Sequence, residues 1–469
     1  MKFFISMFIL SIMMYFSAPE VYSFFYCLSA ASLFIISAII FIKKTLISGN
    51  YINFHTIFLS VNLVIVFFYP VFIYPINPTF FSVFGNYQID SNLISQGTGL
   101  CLLAMIAYMF GSFSYFKKNK YKLENFEIVT SMVNKSTVLA TNTLCVLIMT
   151  VSIYFLFKNL GTSYGDVVLN PQSIFLATLI IPITLIINSQ KRIYEVKNNT
   201  IGFLKVNFLP LVLIFIYSIF SLLIGSRFSI IQLGLIVIAV YIYYVRLIKL
   251  RYLIVLTLFS IFFLTYIEKR RQFNENPKIS SLFESKPGQN PGLNPIWNNF
   301  NDLIINTRNI YKGIEYTNKY GYSYGKQFFF VRMTSPIPFL PTLVCNILLD
   351  TEPVKLTSQQ ILTDFTRESN PELDYELGSN VVIDVFMEFG VMGVIILFFL
   401  FGRFIEFLEI NKYFSIKLHV VYLVMLSSAI FMVRSGLFDQ FRAVIWVYLL
   451  SILLLELKDN FTIKRKNSL

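Results

Sequence analysis

Residues 379–390 read Ser379-Asn380-Val381-Val382-Ile383-Asp384-Val385-Phe386-Met387-Glu388-Phe389-Gly390, and the chain then stays apolar through Phe401. The run from 381 to 401 matches the ~20 apolar residues that an α-helix needs to cross a bilayer core. It opens, however, on two carboxylates at i and i+4, a spacing that puts both on one helical face near the N-terminus. The helix dipole favours such residues at a surface. Two carboxylates entering lipid are costly, and they tend to mark a working site. Asp384 and Glu388 are therefore candidates for a general base or a hydroxyl acceptor. Gly390 and Gly393, which follow, suit close helix packing.

Upstream of this stretch lies the longest polar segment of the chain, Glu268 to Asn380, 113 residues with twelve Lys/Arg and twelve Asp/Glu. The remainder of the chain therefore carries the whole net charge of +13. Hydrophobic residues make up 56% of the 469, charged residues only 13%, and the mean hydropathy is +0.67. Soluble domains run near 25% charged, so the chain reads as an all-α polytopic membrane protein. Juxtamembrane Lys/Arg anchoring explains the positive balance without nucleic acid.

Twelve candidate spans follow from the apolar runs: 3–17, 23–42, 55–74, 96–115, 137–157, 174–188, 207–225, 228–245, 252–267, 381–401, 417–433 and 442–457. Lys43-Lys44, the Lys117 to Lys122 cluster, Lys191-Arg192, Arg246 to Arg251, Arg403 to Lys417 and the Lys464-Arg465-Lys466 tail all fall on one side. The positive-inside rule makes that side, and both termini, cytoplasmic. The long loop then faces outward, along with the turns at Gly225-Ser226-Arg227 and Arg434 to Arg442. The expected division is a membrane bundle over 1–267, an extracytoplasmic loop over 268–380, and the last spans with a tail over 381–469. Met1-Lys2 and the apolar run behind it read as a retained first helix. Three of the four cysteines lie in apolar spans and only Cys345 in the loop, so no disulfide framework is expected.

Within the loop, residues 299–318 have helical spacing and are expected to form an amphipathic helix on the membrane surface. Phe328 to Leu349 is apolar but broken by Pro336, Pro338 and Pro341, which fits a re-entrant or interfacial segment.

Several cations stand at expected outer ends of spans. Arg227 follows Gly225-Ser226, whose backbone allows close approach of an anion beside the guanidinium. Arg434 lies near Asp439 and Arg442, so it reads either as a member of a local ion pair, with Asp439 pairing to Arg434 or to Arg442, or as a fixed cation facing the same cavity as Arg227. Arg332 precedes the proline-broken segment in apolar surroundings. Arg308 and Arg367 read as solvated or paired. His55 and His419 fall at expected cytoplasmic span ends, away from any outer site. Metal and nucleotide motifs are absent from the sequence, and no cofactor is expected.

From about Ile224 to Arg442 the chain resembles the Wzy-type oligosaccharide repeat-unit polymerases. The resemblance rests on the Gly-Ser-Arg turn and Tyr322-x-Tyr324-Gly325 ahead of the proline-rich apolar stretch. It continues through Glu352-Pro353, the Ser379, Asp384, Glu388, Phe389, Gly390, Gly393 entry, and a late arginine. The chain departs from the family where Pro336-Ile-Pro-Phe-Leu-Pro stands without a following arginine, and Asp384 occupies a position that often holds Glu.

The resemblance implies a GT-C-like membrane glycosyltransferase in a bacterial inner membrane, with its site on the periplasmic face. Its substrate would be an undecaprenyl-pyrophosphate-linked oligosaccharide, and it would transfer the nascent glycan to the non-reducing end of an incoming lipid-linked repeat without a metal. Asp384 and Glu388 would be catalytic, and Arg227, Arg332, Arg434, Arg442 and Tyr322 would bind pyrophosphate and sugar. A chain-length regulator is an expected partner. An O-antigen ligase and a lipid-linked oligosaccharide flippase or transporter are the alternatives. Such ligases generally carry a histidine in the outer loop, and this loop has none. A transporter would more often show inverted repeats with paired broken helices, which are not seen here.

Overall fold

A computed structural model describes residues 1–46, 49–83, 89–124, 133–158, 171–224, 227–249, 251–252, 301–371, 373 and 376–466. Among these residues the secondary structure is helical, with no strand. The helices are α1 (Lys2–Phe16), α2 (Phe24–Thr45), α3 (Phe54–Asn62), α4 (Asn92–Glu124), α5 (Lys135–Lys158), α6 (Pro171–Lys191), α7 (Ile193–Val196), α8 (Thr200–Val206), α9 (Phe208–Ile224), α10 (Arg227–Tyr244), α11 (Asn301–Ile304), α12 (Thr307–Tyr320), α13 (Leu340–Leu349), α14 (Ser358–Ser369), α15 (Val381–Asn411), α16 (Ile416–Met432) and α17 (Phe441–Lys466). Eleven of the twelve expected spans fall on helices, and the twelfth, 252–267, lies almost wholly outside the described residues. Among the described residues six helical stretches are long and apolar enough to cross a membrane. A seventh is reached if α8 and α9, bent by 79°, form one broken span.

Helix α4 is the axis of the bundle. Every residue from Leu100 to Met109 is fully buried, as expected of a helix that is apolar on all sides. Helix α15 runs parallel to it, with Tyr108 opposite Gly402 and Ser112 opposite Glu406. Two glycines set this close approach. A Cβ at Gly402 would collide with the Tyr108 carbonyl oxygen, and one at Gly111 with the Phe399 carbonyl oxygen. Small residues at membrane helix crossings permit this kind of backbone contact. Helices α1 and α2 pack on α4, while α5, α6, α9, α10, α16 and α17 build the second part of the bundle.

The amphipathic segment of the loop is buried within the protein. Helix α12 inserts against α4 and α15: Tyr311 sits where a Cβ on Gly97 would come within 2.9 Å of its ring, and Gly313 leaves room for Ile383. Its polar residues follow it inward. Arg308 is 4% exposed, so of its two readings, solvated or paired, burial removes the solvated one. Arg367, by contrast, is half-buried and donates from Nε to the Leu373 carbonyl at 3.3 Å.

The proline-broken segment forms a π-turn over Phe328–Arg332, then irregular turns, then α13. Ten residues in α13 are too few to span a bilayer. Phe339, Leu343, Ile347 and Leu348 leave its apolar face exposed.

Candidate active site

Asn380 caps α15 by accepting from the Val382 N–H at 2.9 Å, and this fixes the direction in which the helix presents its first turns. Asp384 and Glu388 are then buried together on the face turned towards residues 322–332, α14 and the link between α16 and α17. Their exposures are 4% and 5%, so neither is the solvated, dipole-stabilising residue of a surface helix.

Buried carboxylates need donors, and each of these has a separate set. Asp384 Oδ1 accepts from Ser358 Oγ at 2.6 Å, and Oδ2 accepts from the Leu437 N–H at 3.2 Å. Ser358 Oγ also lies 2.7 Å from Ser379 Oγ. Glu388 Oε1 accepts from Ser323 Oγ at 2.6 Å and from the Gln327 N–H at 3.3 Å, and Oε2 faces the Phe328 N–H at 3.5 Å. Gln327 joins the two sets, because its side-chain oxygen accepts from the Ser358 N–H at 3.0 Å.

Arg332 completes the group. It is ion-paired with Asp439, whose other oxygen accepts from the Gly436 N–H at 2.6 Å. A Cβ built on Gly436 would stand 2.6 Å from Asp384 Oδ2 and 3.1 Å from Arg332 Nη2. The guanidinium and the Asp384 carboxylate therefore flank one glycine, and a larger residue there would have to displace one of them. Both readings that paired Asp439 with Arg434 or Arg442 are corrected: its partner is Arg332. The physical reason is that residues 433–440 are turns rather than helix, so the i, i+3 spacing does not bring those side chains onto one face.

Gly390, expected to serve close helix packing, instead breaks α15 with φ +64° and ψ −161°. A Cβ there would stand 3.0 Å from the Tyr322 ring. Tyr322 packs edge-on against Phe386 at 5.5 Å and keeps 38% of its surface exposed. Its ring thus sits beside the carboxylates with one side open.

The remaining candidates are more dispersed. Arg434 is half-buried at the end of α16, where the Val381 N–H donates to the Val433 carbonyl at 3.3 Å. Arg227 opens α10, but its side chain, together with Gly225 and Ser226, lies outside the described residues. Phe228 meets Phe431 edge-on at 4.0 Å, which places the start of α10 beside the end of α16. Arg442 is exposed and lies over the Phe175 ring at 4.8 Å, on α6 rather than over the carboxylates.

Sequence reading missed Ser323, Gln327, Ser358 and Gly436 as members of this site. Each is a small or neutral residue outside α15, and no spacing rule links them to that helix.

Both histidines are remote from this site. On α15, residue 406 lies 22 positions beyond Asp384, roughly 30 Å along a helix. There Glu406 Oε2 meets His55 Nε2 at 3.0 Å and accepts from Ser112 Oγ at 2.6 Å, while His55 Nδ1 lies 2.6 Å from the Tyr108 hydroxyl.

No curated protein and no solved structure matches the chain. The family described as O-antigen polysaccharide polymerase Wzy matches residues 1–466, and the chain belongs to that family, a multi-pass membrane protein of the repeat-unit polymerase type.

Proposed function

We propose that the chain joins lipid-pyrophosphate-linked oligosaccharide repeats at the end of the bundle where Asp384, Glu388 and Arg332 meet. In this reading a hydroxyl of the terminal sugar on an incoming repeat attacks the anomeric carbon of the nascent glycan. Asp384 takes the hydroxyl proton, the new glycosidic bond forms, and the anomeric C–O bond to pyrophosphate breaks. The leaving lipid pyrophosphate departs with the bonding electrons. General-base help of this kind contributes about 10²–10⁴-fold.

The observation that carries this reading is the flanking of Gly436 by Asp384 and Arg332. A base beside a cation suits a reaction in which a proton leaves one oxygen while negative charge grows on another. Glu388 is tied by three donors from residues 323–328. We assign it to holding that segment, and Tyr322 with it, against the sugar. Arg332 is already engaged by Asp439, so a pyrophosphate needs further cations. Arg434 and Arg227 are the proposed set, acting by charge-assisted hydrogen bonds in place of a metal.

This assignment puts the site on the periplasmic face of a bacterial inner membrane, with undecaprenyl pyrophosphate as carrier and a chain-length regulator as partner. The division into bundle (1–267), outer loop (268–380) and final spans (381–469) belongs to the same reading.

The test is a polysaccharide ladder from cells that lack this gene and carry the wild-type or the Asp384→Asn chain. A single repeat unit on its acceptor, at normal protein level, is expected for the variant. A wild-type ladder from Asp384→Asn overturns the assignment of the base. Full-length polymer held on the lipid carrier in the gene-less cells points to a ligase instead.

A further inference from the structure

At the end of the bundle opposite Asp384, two cavities of about 230 Å³ and 240 Å³ share Tyr243, Lys412, Tyr413 and His419 in their walls. The first is also lined by Lys417, and the second by Arg246. Among the described residues three cations therefore line the two cavities, and no carboxylate does. Glu409 holds Lys412 Nζ at 2.5 Å without itself entering either wall.

His419 gives a second, independent indication. It is 3% exposed and packs against the rings of Tyr243 at 4.1 Å and Tyr244 at 6.2 Å, and among the described residues its ring has no hydrogen-bond partner. Its ring lines both cavities, where a bound group can reach it. The first cavity also takes in the opening turn of α16, Ser415 to Lys417, where helical N–H groups point outward.

We infer that these cavities form a binding site for the phosphate head group of an anionic membrane lipid, in the leaflet opposite the polymerisation site. The chemistry matches one end of such a molecule to each part of the lining. Lys412, Lys417 and Arg246 meet phosphate oxygens, and His419 supplies a further hydrogen bond. Ala239, Ile242, Leu247 and Leu423 in the second cavity, with Ile416 and Leu455 in the first, offer an apolar wall for the glycerol and upper acyl carbons. A free phosphate ion has no use for that wall. Basic pockets between membrane helices take anionic lipid in this manner.

The experiment compares the melting temperature of the purified full chain in phosphatidylcholine nanodiscs with and without phosphatidylglycerol, and separately with inorganic phosphate. It is repeated on the double variant Lys417→Gln, Arg246→Gln, which leaves the buried Lys412–Glu409 pair intact. The expected result is a higher melting temperature with phosphatidylglycerol and none with phosphate. Lipid titration should show the double variant binding roughly 25-fold more weakly, two cations at about 1 kcal/mol each and 1.4 kcal/mol per tenfold. Equal melting in both lipids overturns the site, as does an unchanged lipid affinity in the double variant. An equal rise with inorganic phosphate replaces the lipid with a free ion and overturns the lipid assignment. Should the double variant fail to fold, the wild-type comparison of the two lipids and phosphate decides alone.

Discussion

Arg332 is ion-paired with Asp439, across more than a hundred residues of chain and between two segments that are not themselves spans. This pair ties the π-turn of the proline-broken segment to the link between α16 and α17, and it holds the guanidinium beside Asp384. Both members are largely buried, at 19% and 23% side-chain exposure, so neither is a freely solvated charge. Trp446 makes a second tie between the same two regions, donating from Nε1 to the Pro336 carbonyl at 2.9 Å.

Removing either member of the Arg332–Asp439 pair therefore strands a charge in a partly dry site. Arg332→Ala and Asp439→Ala should each lower thermal stability, and the double variant should cost less than their sum by roughly 0.5–3 kcal/mol. Melting temperatures of the four purified proteins form the cycle. Simple additivity would mean that the contact has no energetic role.

Polymer formation should be more sensitive than folding to what replaces Arg332. Lysine keeps the charge but loses the planar fork that engages Asp439 while facing Asp384. Arg332→Lys is expected to give shortened ladders at normal protein levels. Full-length polymer from this variant would show that a point charge suffices there.

What the sequence showed, and what it hid, follows from the range of each physical rule. Bilayer thickness acts on about 20 consecutive residues, so α2, α4, α5 and α15 could be read directly as apolar runs. The Asp384–Glu388 spacing was legible for the same reason, since i and i+4 share a face within one helix. The burial of α12 was not. Its polar residues suggest a surface helix, whereas Gly97, distant in sequence, and Gly313 on α12 itself make room for it in the core. The Asp439 partner was hidden because the local rule assumed a helix where the chain turns. Ser358 reaches Asp384 from a separate helix, and no local signal announces that contact.

The close crossing of α4 and α15 sets another expectation. Gly402→Ala drives a methyl into the Tyr108 carbonyl oxygen, a backbone atom that cannot swing aside. Overpacking of this kind costs about 1–3 kcal/mol, so the variant should melt lower and accumulate less in membranes. Gly234 is the matched control, because nothing lies within 4 Å of a Cβ there. Alanine at 234 should leave stability unchanged or raise it slightly, as Ala replaces Gly within a helix. Equal behaviour of the two variants would contradict the crossing geometry.

The buried group at the far end of α15 makes the last prediction. Glu406 is fully buried and holds both His55 and Ser112, while His55 in turn meets Tyr108. Three helices, α3, α4 and α15, are thus joined through one carboxylate. Breaking a buried pair from one side typically costs about 3–5 kcal/mol, because the surviving partner keeps its desolvation penalty. Glu406→Ala should therefore lower the melting temperature sharply. Glu406→Leu combined with His55→Phe replaces both polar groups with apolar ones and should recover much of that loss, since the desolvated partner is gone. Polymerising activity provides the second readout. If the cluster serves only to join the three helices, activity should return with stability in the apolar double variant. Restored stability with persistently absent polymer would instead give the cluster a part in turnover, some 30 Å from the carboxylate that we assign to the chemistry.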